Sequence, residues 1–271
     1  MKILVLANRD LASNYALNLL LPGLQEHRVT LLLSSAVGGA TARPEPLQQL
    51  KFFEQQLFND LLFPLLERAG PGRYRSFAGL RPLLAAPPRV ENAINSDESV
   101  ARLTAEQPDL ILSIRYGGIL RDRVIAIPGH GVINLHSGSL PQYRGVMASF
   151  WAMLAGDREL GTTLHTIDDS SIDTGRVIAT TRTALENDKS YLWNVLNLYP
   201  AGVQRMLEAV ATLSSGDTLA TRPQGDGGSY FTFPTEEELQ AFFAAGHRLY
   251  DPTETIALAH THYFGHSEEL S

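Results

Sequence analysis

"GVINLHSGSLPQYRG", residues 131–145, writes an apolar strand over Val132 to His136, interrupts it with Asn134 and His136, and then breaks into Ser137, Gly138, Ser139 and Pro141. Side chains alternate faces along a strand, so Asn134 and His136 emerge on the same side, two residues apart. In an open parallel sheet the functional crevice lies beyond the carboxyl ends of the strands. A strand that ends at His136 delivers both groups there.

The flanking sequence supplies such a sheet. "KILVLA" (2–7) and "RVTLLLSS" (28–35) are β-type runs, with a helical pattern through Leu17, Leu20 and Leu24 between them. That order is the βαβ opening of a parallel sheet. Over residues 45–69, Leu50, Phe53, Leu57, Leu61 and Leu65 recur at helical spacing and predict a long amphipathic helix packed on the sheet. "SDESVARLTAEQ" begins another helix, and Pro108 stops it before the strand "DLILSIRY" (109–116). "TTLHTID" (162–168) and "RVIATTRTAL" (176–185) predict paired strands around a loop, and 187–213 is mostly helical. After "SSGD" (214–217), Gly, Pro and aromatic residues predict a lid-like loop and one short helix. The expected class is α/β with a mostly parallel central sheet. Residues 1–215 form the main domain, and 216–271 form a small C-terminal extension.

The chain has 271 residues, 44% of them apolar, enough for a substantial core. Its 22 basic and 29 acidic residues oppose a broad phosphate-binding footprint, so nucleic acid is not the expected partner. With no cysteine, a disulfide framework, a thiolate metal site and a Cys nucleophile are excluded. The amino-terminal apolar run is interrupted by Asn8, Arg9 and Asp10, a poor signal peptide, and no stretch approaches the roughly 20 apolar residues that span a bilayer. A cytoplasmic protein with no membrane partner is expected. Composition favours neither a monomer nor an oligomer.

A catalytic imidazole needs a group to orient or charge it. Asp173 in "SSIDTGRVI" stands just before a strand, with Gly175 permitting a tight turn beside it. Asn134, His136 and Asp173 together suit acyl transfer to an amine. Asn134 and a protonated His136 can donate to the oxyanion of a tetrahedral intermediate, while Asp173 stabilises the imidazolium and helps take the amine's proton.

Other motifs are weaker. His260, His262 and His266 in "HTHYFGHSEE" lack the helical i, i+4 spacing with an intervening Glu, so a solvated terminal segment is expected in place of a metal site. "SSAVGGAT" (34–41) has neither G-x-G-x-x-G nor a P-loop lysine. Ser137 and Ser139 lack a G-x-S-x-G elbow.

"PDLILSIRYGGIL", "GVINLHSGSLPQYRG" and "GTTLHTIDDSSIDTG" together resemble the catalytic domain of the 10-formyltetrahydrofolate-dependent formyltransferases. That family includes glycinamide ribonucleotide transformylase, methionyl-tRNA formyltransferase and sugar N-formyltransferases. The resemblance implies a Rossmann-like formyltransferase fold, 10-formyltetrahydrofolate as co-substrate with no metal, and the catalytic set Asn134, His136 and Asp173. It also implies a folate site on Gly117, Gly118, Ile119, Leu120 and Arg121, with His165 and Asp168 from the loop before the catalytic Asp. Acceptor contacts then fall to Ser137, Gly138, Arg144 and Tyr230, with 216–271 as an acceptor-side lid. The family writes His-Pro-Ser-Leu-Leu-Pro where this chain has His136-Ser137-Gly138-Ser139-Leu140-Pro141, which predicts a more flexible loop and a different acceptor surface. The interval from His165 to Asp173 is one residue longer than the family spacing. The tail does not resemble the tRNA-binding barrel of the methionyl-tRNA enzymes.

The expected function is formyl transfer to an amine-type nitrogen of a small metabolite. A sugar nucleotide is the alternative acceptor, and a 10-formyltetrahydrofolate hydrolase or a non-catalytic folate-binding module are the alternatives from other classes.

Overall fold

Along the first strand, β1 (Lys2–Asn8), Ile3, Val5 and Ala7 join one buried cluster while Leu4 and Leu6 join another. A strand apolar on both faces belongs inside a sheet covered on both sides. The computed structural model, which describes residues 1–35, 43–69 and 72–264, places β1 third in a seven-stranded sheet.

The remaining elements follow in chain order. Helix α1 (Leu11–Leu20) is capped by Asp10, whose side chain accepts from the Ser13 N–H, and leads to β2 (Arg28–Ser34). The next helical stretch runs through α2 (Glu45–Lys51), a π-helical segment (Phe52–Leu62) and α3 (Phe63–Ala69). Then come β3 (Arg89–Val90), α4 (Asp97–Glu106), β4 (Leu110–Ile114), α5 (Asp122–Ile125) and β5 (Val132–His136). They are followed by β6 (Tyr143–Gly145), α6 (Ala148–Leu154), β7 (Glu159–Thr166), β8 (Val177–Ala184) and the long α7 (Tyr191–Ser214). The chain continues through β9 (Ser229–Phe231), α8 (Glu236–Ala244), α9 (Pro252–Leu258) and a last π-helical turn, Ala259–Tyr263.

The sheet order is β3-β2-β1-β4-β5-β7-β8, parallel from β3 through β5 and antiparallel at β7 and β8. The order reverses between β1 and β4, the switch point at which such sheets open a crevice. β6 and β9 form a separate parallel pair, joining the loop after β5 to the chain beyond residue 215. Among the described residues no helix is long and apolar enough to cross a membrane.

Three expectations need correction. The helix over 45–69 exists, but Leu61 and Leu65 are exposed, while Leu47, Leu50, Phe58, Phe63 and Leu66 are buried. The π-helical turns bring residues five apart into line, so Phe58 and Phe63 both face inward, with ring centroids 5.7 Å apart. Among the described residues beyond 215 there are a strand, two α-helices and a π-helical turn, where a loop and one short helix were expected. The segment carrying His260 and His262 is packed: His262 stacks on Tyr74 at 4.7 Å and Tyr263 is fully buried. His266, and most of "SSAVGGAT", lie outside the described residues.

Candidate active site

Register builds the site. Ser113 on β4, Asn134 on β5 and His165 on β7 are cross-strand neighbours at the carboxyl end of β4 and β5. All three line a cavity of about 360 Å³. His136, two residues beyond Asn134, lines it as well, as does Asp173 from the β7–β8 loop.

Asp173 lies between two imidazoles, 3.5 Å from His136 Nδ1 through Oδ2 and 3.5 Å from His165 Nε2 through Oδ1. The Gly145 N–H donates to the same Oδ2 at 2.8 Å. Burial by itself would raise this carboxyl, but the His136 charge, the His165 hydrogen bond and charge, and the Gly145 N–H outweigh burial and hold it at about 2. The loop is shaped for the purpose. Asp173 is left-handed (φ 56), and Gly175 passes so close to β7 that a Cβ there would lie 1.7 Å from the Thr166 carbonyl oxygen. From beyond residue 215, the Gln224 amide donates to the carbonyls of Asp173 and Gly175, at 2.8 Å each.

Both imidazoles have their second nitrogen engaged. His136 Nε2 donates to the Tyr143 carbonyl at 2.7 Å, so an oxyanion role for this nitrogen requires it to leave that partner. His165 Nδ1 donates to the Thr166 carbonyl at 2.8 Å, which leaves a neutral ring to accept at Nε2 from Asn134 Nδ2, 3.1 Å away. A proton on that nitrogen makes it a donor to Asp173 instead, so His165 serves its two neighbours in opposite charge states.

Gly117, Gly118, Ile119 and Leu120 line the cavity, as do His165, Ser137 and Tyr230. Four expected residues stand outside the lining. Arg121 precedes α5 and donates its backbone N–H to Asn95 Oδ1, and Asp168 accepts from the Thr166 hydroxyl on the surface. Asp169 to Ile172 take the wall position next to it. Gly138 packs behind His136: a Cβ there would meet Ala148 Cβ at 2.4 Å and His136 Nε2 at 2.7 Å, so glycine at this position belongs to close packing. Arg144 has a buried Nε without a hydrogen-bond partner and does not reach the lining.

Asp10, Glu54 and Arg115 also line the cavity, and the motifs above did not single them out. Arg115, left-handed (φ 56) just past β4, reaches Asp10 Oδ2 at 3.1 Å and Glu54 Oε1 at 3.4 Å. Burial pushes the Glu54 carboxyl up to about 7. Arg115 and Arg43 pull it back only in part, and Asp10 adds to the rise. Glu54 shares a helical face with the buried Leu47 and Leu50, seven and four residues before it, a spacing that places it inward only once that face is known to be the buried one.

Residues 68–191 match the family described as Formyl transferase. A methionyl-tRNA formyltransferase from Burkholderia multivorans is 34% identical over 170 residues, covering 61% of this chain and 51% of that protein. The chain spans about half the length of the curated relatives it matches. Among solved structures, a sugar N-formyltransferase from a Shewanella species aligns with a TM-score of 0.56 at 14% identity, covering 90% of this chain and 88% of that one. HypX from Aquifex aeolicus, solved in complex with tetrahydrofolic acid, aligns with a TM-score of 0.54 at 19% identity, covering 88% of this chain and 30% of that one. At such identities the two structures share the fold. The stretch that matches the formyl transferase family, residues 68–191, is the one that holds Asn134, His136 and Asp173.

Proposed function

We propose that the chain transfers the formyl group of 10-formyltetrahydrofolate to an amine-type nitrogen of a small metabolite, with 1–215 as the catalytic unit and 216–271 as an acceptor-side extension. The observation that carries this reading is the meeting of Asn134, His136 and an ionised Asp173 in one cavity. Gly117 to Leu120 and the Asp169–Ile172 loop supply a folate-side wall, and HypX was solved with tetrahydrofolic acid on the same fold. The volume suits part of a drug-sized ligand at the lower end of the usual range, roughly 300–1,000 Å³. Tyr230 and Phe233 bring the extension to the cavity wall.

In this reading the acceptor's nitrogen lone pair forms a bond to the formyl carbon as the carbonyl pair moves onto oxygen. Asn134 donates its amide N–H to that oxyanion, and His136 Nε2 exchanges the Tyr143 carbonyl for it. Such tightening in the complex is common for hydrogen bonds of an empty site. Asp173 keeps the imidazolium charge in place. When the oxyanion collapses and the bond from carbon to N10 breaks, the His136 imidazolium gives its proton to N10 and takes up the one shed by the acceptor nitrogen, while Asp173 stays ionised beside it.

The test is to incubate the protein with 10-formyltetrahydrofolate, with and without a panel of amines, and to follow tetrahydrofolate and formate. Amine-dependent tetrahydrofolate release is expected. Formate released without amine would make the protein a hydrolase, and bound folate with neither product would make it a binding module. Sugar nucleotides in the same panel address the alternative acceptor.

A further inference from the structure

We infer that Gln224 is a positioning residue for formyl transfer: through the main chain at Asp173 it sets where the carboxylate stands against His136. This rests on the transferase reading and carries the working part of the site past residue 215.

Gln224 is partly buried in a run, Arg222 to Tyr230, that is otherwise exposed. Its Nε2 donates to the carbonyls of Asp173 and Gly175, which uses both of its hydrogens. With two carbonyls as partners the amide can point only one way, because a flipped amide would set oxygen against oxygen. Asp173 is a non-glycine residue in the left-handed region, φ 56, a conformation that persists where the surroundings hold it. The two bonds take hold of the chain on either side of Thr174 and fix that conformation from outside the loop.

The segment that carries Gln224 is itself anchored on both sides. Arg222 exchanges backbone bonds with Val177 at the start of β8, at 2.8 and 2.9 Å. The Arg176 guanidinium donates to the hydroxyl of Thr221 at 2.8 Å and to its carbonyl at 3.1 Å. On the other side, Ser229 donates its N–H to the Gln142 carbonyl at 3.1 Å, and β9 pairs with β6. Gly228, left-handed at φ 76, passes so close to Pro141 that a Cβ would lie 1.8 Å from its carbonyl oxygen. β6 in turn carries the Gly145 N–H that meets the Asp173 carboxylate and the Tyr143 carbonyl that meets His136. The atoms that touch the pair are therefore main-chain atoms of β6, and residues 221–231 tie β6 to the Asp173 loop, with Gln224 as the tie to the loop. Asp173 stands 3.5 Å from each of two imidazoles, and a misplacement of about 1 Å at such a site can slow a reaction about a hundredfold.

The experiment compares the full-length wild type with Gln224→Met, which keeps the length of the side chain and removes both donors, and with Gln224→Ala. Formyl transfer is measured under single turnover with the amine that supports it, in the wild-type and in the Asp173→Asn background. Both variants are expected to lower the rate at least about tenfold, with tetrahydrofolate affinity within about twofold of wild type. In the Asp173→Asn background the same changes should alter the rate less than about twofold, because the group that Gln224 positions is gone. A rate within about twofold of wild type in Gln224→Met overturns the inference. An equal loss in both backgrounds also overturns it, since Gln224 would then act independently of Asp173. Lost tetrahydrofolate binding in Gln224→Met does the same, since the residue would then support the fold or the folate wall. A second readout needs no turnover: the Gly145 amide, which donates to Asp173, should exchange with deuterium at least about tenfold faster in Gln224→Met, while the β1 amides keep their wild-type rates. Unchanged Gly145 exchange overturns the inference whatever the wild-type activity. Faster exchange in a protein that transfers no formyl group would overturn the transferase reading and leave the placement of Asp173 by Gln224 standing.

Discussion

Asp173 and Glu54 line one cavity and are both largely buried, yet one carboxyl is held at about 2 and the other is pushed up to about 7. Burial acts in the same direction on both. The difference lies in what answers it. Asp173 receives two imidazoles and a backbone N–H, whereas Glu54 shares the Arg115 guanidinium with a second carboxylate, whose charge opposes its ionisation. Two carboxyls driven apart in this way are suited to different tasks, one as a fixed charge and the other as a group that changes state near neutrality.

Removing the fixed charge is the largest test of that contrast. Asp173→Asn should lower kcat for formyl transfer about a thousandfold, within the span that positioned acid–base and electrostatic groups contribute. Tetrahydrofolate affinity, measured by fluorescence titration, should stay within a few-fold of wild type. Wild-type kcat in the variant would remove Asp173 from the mechanism.

The contrast should also appear in stability, with opposite signs. Asp173 is depressed from its ordinary 3.8 to about 2, so it adds stability that is full above pH ~4 and lost as the pH falls to ~2. That difference amounts to about 2 kcal/mol. Urea denaturation of the wild type and Asp173→Asn should converge over that window. Glu54 is raised above its ordinary 4.5, so its favourable contribution is present below pH ~4.5 and is lost as the pH rises through ~7. Glu54→Gln should therefore gain urea resistance relative to the wild type at pH 8 and lose that advantage near pH 5. A variant that is weaker at pH 8 would show that the Arg115 pair outweighs the burial of the charge.

The two carboxylates also differ in how far they could be read from sequence. Asn134 and His136 stand out because polar residues at period two inside an apolar strand have few structural uses, and the "IDTG" turn marks Asp173 by its own local chemistry. Glu54 shows no such local mark. The stripe Leu50, Phe53, Leu57, Leu61, Leu65 is wholly apolar, and the stripe that is buried, Leu47, Leu50, Phe58, runs through Glu54. Placing a carboxylate inward costs too much without a partner, and the partner, Arg115, is 61 residues away. The same limit hid β6 and β9, each three residues long and too short for any periodicity, which pair parallel across the molecule. It also hid Gln224, 51 residues from the Asp173 carbonyl it holds.

The smallest effect separates main chain from side chain in the support of the fixed charge. At the Asp173 end the key props are backbone atoms: the Gly145 N–H on the carboxylate and the Tyr143 carbonyl on His136. The Tyr143 phenol points elsewhere, donating to Asp157 Oδ2 at 2.8 Å, and burial together with Asp157 pushes it up to about 12. Tyr143→Phe removes that one hydrogen bond and should cost about 1 kcal/mol of stability. The carbonyl stays, because β6 is registered against β9 through Tyr143–Ser229 and Gly145–Phe231. Formyl transfer in Tyr143→Phe should remain within about threefold of wild type, since the group that touches the imidazole is unchanged. A loss comparable to that of Asp173→Asn would mean that the phenol, through Asp157, sets the position of His136, and that this end of the cavity depends on side chains as much as the Glu54 end does.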